Sequence, residues 1–324
     1  MADPLKIRVR DYISHLAGDI ASDARIDVLK VDGLVNRCIN AVTESLKRPT
    51  SQFSERQREH LSHIFLWMRH AHRGVRELLR PDGKDPLSVG VMPLVRAQLE
   101  ILFALCLIIE KPESLAVYLK DGWKKLYVRH LLMREECAAL PRVTDSLRQV
   151  EPSLEQFRLL SGVTDSERLT IDAEELGTPM PVDVAPQTIP RFPTPMVVIR
   201  QMQDPERKAM LMRLYPEYQF LCGFVHFSPA ATVLSGLLDP RNPQAAMISS
   251  VKKYDVFQKE LAGPAIWLDS ISIVQGCSEF VSVYRDDVEL ARAGIEGWKS
   301  LMEQSLIGRV IWQLRTRRLL GALA

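Results

Sequence analysis

Cysteine is scarce in this chain and forms no recognisable pairs. The five thiols (Cys38, Cys106, Cys137, Cys222 and Cys277) are odd in number and far apart, and no CxxC pair occurs. Such spacing argues against a disulfide scaffold and against a zinc site, because no Cys/His cluster has ligand spacing. It fits free buried thiols in a reducing cytoplasm. Glycine-rich phosphate loops, a GxSxG elbow, HExxH and a dinucleotide fingerprint are all missing, so the enzyme classes those motifs mark are not indicated. An excess of charge of one sign is missing too. With 42 basic against 40 acidic side chains the formal net charge is +2, which gives no overall reason for nucleic-acid or membrane binding. The longest apolar run, Ile101–Ile109 (ILFALCLII), is far shorter than the roughly 20 residues that span a bilayer. Residues 1–19 mix charge into every turn and lack the apolar core of a secretory signal. The expectation is a cytoplasmic protein with no membrane partner, no cofactor and no metal.

Strand-like alternation of any convincing length is absent, and helical periodicity dominates. Leu5, Val9, Tyr12, Ile13 and Leu16 share one helix face, and Val31, Leu34, Val35, Cys38, Ile39, Val42 and Leu46 share another. A third helix begins at Ser54, with Gln57 placed for a capping box. A fourth, starting near Pro93, is apolar nearly all round and belongs at the centre of a bundle. A fifth follows over 113–140, then shorter pieces at 152–161 and 164–176, the last with Thr164 and Glu167 as a second capping box.

Composition changes at Gly177–Pro195, which has six prolines in nineteen residues. Proline is excluded from helix interiors, so this is a long loop, either a functional lid or a mobile segment. Helices resume at Asp204-Pro205, again at Tyr215-Pro216, and finally from Pro264. The expected fold is an all-α multi-helix bundle with a long Pro-rich loop. It forms one domain over 1–324, with N-terminal helices (1–50), a core bundle (51–240) carrying the 177–195 insert, and C-terminal helices (255–321).

Two polar rows interrupt the apolar helices. Arg96 and Glu100 are four apart on the fourth helix, and Tyr218, Cys222 and His226 recur every four residues along YPEYQFLCGFVHFSP. Should the two helices face each other, guanidinium, carboxylate, phenol and imidazole meet. Two readings stay open. One is a brace of mutually satisfied polar groups. The other is a catalytic or binding pocket, with His226 as acid/base, Arg96 gripping an anion, and Glu100 and Tyr218 orienting.

The helix RQREHLSHIFLWMRHAHR (56–73) holds four of the seven histidines and an Arg58-x4-His63 spacing, which a solvated face also satisfies. Arg309, Arg315, Arg317 and Arg318 near the C-terminus read as dipole-complementing residues or as a phosphate contact.

PLVRAQLEILFALCLII followed by YPEYQFLCGFVHFSP resembles an uncharacterised bacterial and phage family of helical proteins with an Arg-x3-Glu helix and a later Tyr…Ser/Cys…Val-His helix. The resemblance spans about residues 55–240 and places Arg96, Glu100, Tyr218 and His226 on the family's positions; Cys222 stands where a small hydroxyl residue is usual. The arrangement is loosely similar to HEPN-type proteins, several of which are RNases in toxin or phage-defence systems. This resemblance implies a stress- or phage-defence role and RNA or another anionic ligand as partner. A non-catalytic interaction module, as a homo-oligomer, and a small-molecule-binding protein with the 177–195 loop as lid are the alternatives.

Overall fold

A computed structural model of the chain describes residues 28–79, 87–225 and 246–304, with no strand and ten helices among them. The chain divides into two compact units, Met1–Glu110 with Pro195–Ala324, and Lys111–Thr194.

The first unit is built on two helices, each with a stretch that is buried on every side. In α3 (Ser88–Glu110) every residue from Leu102 to Ile109 is buried. In α9 (Ala246–Val281) every residue from Ala265 to Cys277 is buried. An all-round apolar helix is stable only when other helices surround it. Here α3 packs on α9, and on α2 (Glu55–Leu79), α7 (Pro195–Gln201) and α8 (Pro205–Val225). The other sides of α9 are covered by α1 (Val28–Leu46), α2 and α10 (Val288–Gln304). By length and composition α3 is apolar enough to cross a membrane, but 67% of its most apolar stretch is buried inside the protein.

One close approach needs glycine. A Cβ on Gly297 would lie 2.9 Å from Val274 Cγ1 and 3.2 Å from Cys38 Sγ, so α10 can settle against α9 and α1 only without a side chain there. All five cysteines are free thiols, three of them buried.

The second unit has α4 (Ser114–Glu136) packed on α5 (Pro141–Ser161) and α6 (Asp165–Leu176). Its core gathers Trp123, Leu131, Val163, Ile171 and Ile189, and the indole of Trp123 donates to Leu154 O at 3.0 Å. The Thr164 capping box forms: its hydroxyl accepts from Glu167 N (3.1 Å) and its amide donates to Glu167 Oε2 (2.8 Å). Residues 177–194 are not helical, as their prolines require. They are tied to α6, with Ser166 Oγ donating to Ala185 O (2.6 Å) and Gln187 N donating to Thr170 Oγ1 (3.0 Å).

The periodic segments at 31–46, 54–78 and 204–215 are helical, and Ser54 and Gln57 complete their capping box at 2.9 and 3.3 Å. Asp204 Oδ1 caps α8, accepting from Glu206 N and Arg207 N, each at 3.0 Å. Proline is where the expectation fails. Pro93, Pro216 and Pro264 do not start helices but lie inside α3, α8 and α9, and Pro152 lies inside α5. An interior proline costs roughly 3 kcal/mol, and helices held by tertiary packing withstand that where isolated ones do not. The helix α7 has no counterpart in the sequence reading, since it lies directly after the proline-rich stretch. The expected helix over 5–16, the PDGKDP turn, the Ser228-Pro229 kink and the C-terminal arginines lie outside the described residues.

Candidate functional site

Three of the four candidate residues come together where α3 meets α8. Arg96 and Glu100 are one turn apart, and Arg96 Nη2 donates to Glu100 Oε1 at 2.7 Å. Tyr218, on α8, donates its phenol proton to the same oxygen at 2.7 Å, while Arg96 Nη2 also reaches Tyr218 Oη at 3.2 Å. Arg96 Nε donates to Cys222 Sγ at 3.2 Å, so the thiol one turn beyond Tyr218 belongs to the cluster. The guanidinium carbon lies 5.4 Å from the Tyr218 ring centroid, a cation–π distance. Phe103 meets the same ring edge-on at 5.9 Å. His226, the fourth candidate, lies outside the described residues, one position past the end of α8.

The cluster is neither sealed nor fully open. Tyr218 is buried, but the side chains of Arg96 and Glu100 keep 22% and 39% exposure, so water and solutes reach the ion pair. Among the described residues Arg96 Nη1 makes no hydrogen bond, which leaves one edge of the guanidinium fork open. Burial acts against the Arg96 charge, but the bonds to Tyr218 and Cys222 and the field of Glu100 outweigh it and hold its pKa above the ordinary value. Burial, then the bond to Glu100, push the Tyr218 phenol above its ordinary range.

An alkaline effect follows from that last shift. The folded phenol keeps its proton past the usual tyrosine value near ~10, where the unfolded chain releases it. Above that pH the unfolded state binds fewer protons, so stability falls as pH rises. The melting temperature is therefore expected to drop between about pH 9 and 12, and to drop less steeply in Tyr218→Phe. Parallel melting curves of the two proteins across that range check it.

The second sequence cluster dissolves into separate roles. Arg58 donates to Leu46 O at 3.1 Å and to Phe53 O at 3.0 Å, tying the end of α1 to the start of α2. Its guanidinium is thus engaged with carbonyls, and His63 is exposed. Among the described residues no group of three or more His, Cys, Asp or Glu is placed to hold a metal.

His72 is not on a solvated face. It falls on the apolar stripe Leu61, Phe65, Met68, Val75, Leu79 of α2 and is 1% exposed. Its Nδ1 is hydrogen-bonded to Asp269 Oδ2 on α9, and Nε2 lies 3.5 Å from Asp32 Oδ1 on α1. Gln98 on α3 donates to Asp269 Oδ1 (3.1 Å) and to Met68 O (2.8 Å). A second buried network joins Arg207 to Glu279 and Glu110. Both were missed in the sequence. A histidine in step with the apolar stripe of α2, and a lone carboxylate within AIWLDSISIVQGC, are the features that reveal the first.

No family model matches the chain, and neither does any curated protein or solved structure.

Proposed function

We propose that this all-α protein binds an anionic ligand at the α3–α8 cluster, and that the ligand is RNA, in keeping with the HEPN-like resemblance of its two motif helices. The observation that carries the reading is the convergence of Arg96, Glu100 and Tyr218 from two helices, with Arg96 Nη1 unbonded among the described residues and the ion pair in reach of solvent. In this reading Arg96 contacts a phosphate, and Glu100 and Tyr218 hold the guanidinium plane in place. His226 is the acid/base of a metal-independent cleavage. A cytoplasmic stress- or phage-defence role goes with that chemistry.

The test is anisotropy titration with a fluorescent single-stranded RNA, run beside a gel assay of its cleavage. Arg96→Gln removes a charge-assisted contact and is expected to weaken binding by about tenfold or more. His226→Ala is expected to bind RNA but not cut it. Wild-type protein that neither binds nor cuts RNA would sink the reading.

A specific observation favours a second reading. Glu100 Oε1 is shared by Arg96 and Tyr218, so the cluster also satisfies itself without any ligand. On that basis it is a register device between α3 and α8 in a non-catalytic module.

A further inference from the structure

The second unit contains a cleft of about 270 Å³ in which the helices leave an arginine unsatisfied. One wall is the α4 face Tyr127, Leu131 and Arg134, spaced i, i+4, i+7. The opposite wall comes from α6, where Arg168 and Asp172 lie one turn apart. After α6 the chain turns at Gly177 in the left-handed region (φ 64°), and Pro179 and Met180 complete the lining.

Three observations define the chemistry the cleft would accept. First, Arg168 Nε is buried and has no hydrogen-bond partner, and the guanidinium joins no ion pair among the described residues. A buried donor left unpaired costs about 1–3 kcal/mol, and native proteins keep few of them. Second, Arg134 adds positive charge from the α4 wall. Its nearest carboxylate, Glu151, is 3.6 Å away, and both side chains are about half exposed. Third, the rest of the lining is mixed, with the apolar Leu131, Leu169, Leu176, Pro179 and Met180 beside Tyr127, Asp172 and Thr178, and one side of it rests on the unit's core. Leu131 belongs to that core, and Tyr127 stacks on Trp123 at 4.6 Å with its phenol bonded to Asp172 at 2.7 Å.

We infer that this cleft is a binding site for a small carboxylate with an apolar body, gripped by the Arg168 fork with Arg134 beside it. A planar guanidinium matches a carboxylate through two parallel hydrogen bonds, and such a pair supplies the partner that Arg168 Nε lacks. The apolar side chains of the lining, Leu131, Leu169, Leu176, Pro179 and Met180, accept the rest of the molecule, the usual division of labour in a small-molecule site. The Asp172 carboxylate in the same lining selects a monoanion over a phosphate dianion by repulsion. The site uses residues of the 111–194 unit alone and does not rest on the Arg96 cluster.

The experiment is a calorimetric titration of the full chain with benzoate, with benzamide as its uncharged counterpart and acetate as its counterpart without an apolar body. Benzoate is expected to saturate one site per chain and to bind at least about tenfold more tightly than either. Arg168→Gln is expected to weaken benzoate by about tenfold or more with little loss in melting temperature, because among the described residues Arg168 Nε has no hydrogen-bond partner and the guanidinium joins no ion pair. Arg168→Lys keeps the charge without the fork and is expected to fall between the two proteins. The inference is overturned if wild-type protein shows no saturable benzoate binding, if benzamide binds as well as benzoate, or if benzoate binds either variant as it binds wild type. A large drop in the melting temperature of both variants overturns it as well, since that places Arg168 in the structure of the unit.

Discussion

Arg207→Met is expected to lower the stability of the fold by about 3–5 kcal/mol, the typical cost of stranding a buried charge by removing its partner. Folded domains are stable by only about 5–15 kcal/mol, so this is a large share of the total. Arg207 is 3% exposed, and its Nε and Nη2 donate to Glu279 Oε2 at 2.9 and 2.7 Å. Its Nη1 donates to Glu110 Oε2 at 2.9 Å. Burial alone would lower the pKa of the guanidinium, but the charge and hydrogen bonds of Glu279 more than compensate and keep it above the ordinary value. Removing the arginine leaves two carboxylates, on α3 and α9, without their cation. The loss is read as a shift of the urea midpoint. The double variant Arg207→Met/Glu279→Gln removes the more deeply buried of the two stranded charges and keeps an acceptor for Gln275, so it is expected to recover part of the loss. An unchanged midpoint in Arg207→Met would refute the argument.

Asp269→Ala is expected to cost a similar ~3–5 kcal/mol, for a related reason. Asp269 is fully buried and joins His72 of α2 to Gln98 of α3. The chain of contacts continues from His72 through Asp32 to Arg76, which reaches Asp32 Oδ2 at 3.1 Å and leads the network to the surface. Alanine leaves both His72 and Gln98 short of a partner in the buried core. Asp269→Asn keeps an oxygen for Gln98 and a hydrogen-bonding amide beside His72, so about 1–3 kcal/mol is expected instead. Urea denaturation of the two variants separates these cases, and equal losses would show that the charge of Asp269 matters more than its hydrogen bonds. The network also bears on the site. Gln98 lies two residues from both Arg96 and Glu100, and on a helix such neighbours point to different faces. Anchoring Gln98 towards α9 therefore sets the rotation of α3 that directs Arg96 and Glu100 to α8.

Much of this architecture is written in local pattern. Apolar residues at helical spacing are enough to mark α1 and α2, because burying one stripe is a requirement each helix meets along its own length. Ser54 with Gln57, and Thr164 with Glu167, mark helix starts because a cap needs only residues three apart. The pairing of Arg96 with Glu100 is equally local. That Tyr218 would join them was a guess about two core-type helices facing each other, and the α3–α8 contact carries it out.

Where the outcome depends on distant partners, local pattern was misleading or silent. Pro93, Pro216 and Pro264 read as helix starts, yet each is carried inside a helix, because packing against neighbours outweighs the lost hydrogen bond. His72 looked like part of a charged, solvated helix, and it became a core residue because a carboxylate 197 positions away meets it. Arg168 was unremarked in the sequence, and only the apposition of α4 and α6 leaves its Nε buried without a partner. Helix positions and caps follow from residues a turn apart. Which polar groups are buried, and which of them are satisfied, follows from contacts that span the chain, and the folded arrangement alone decides those.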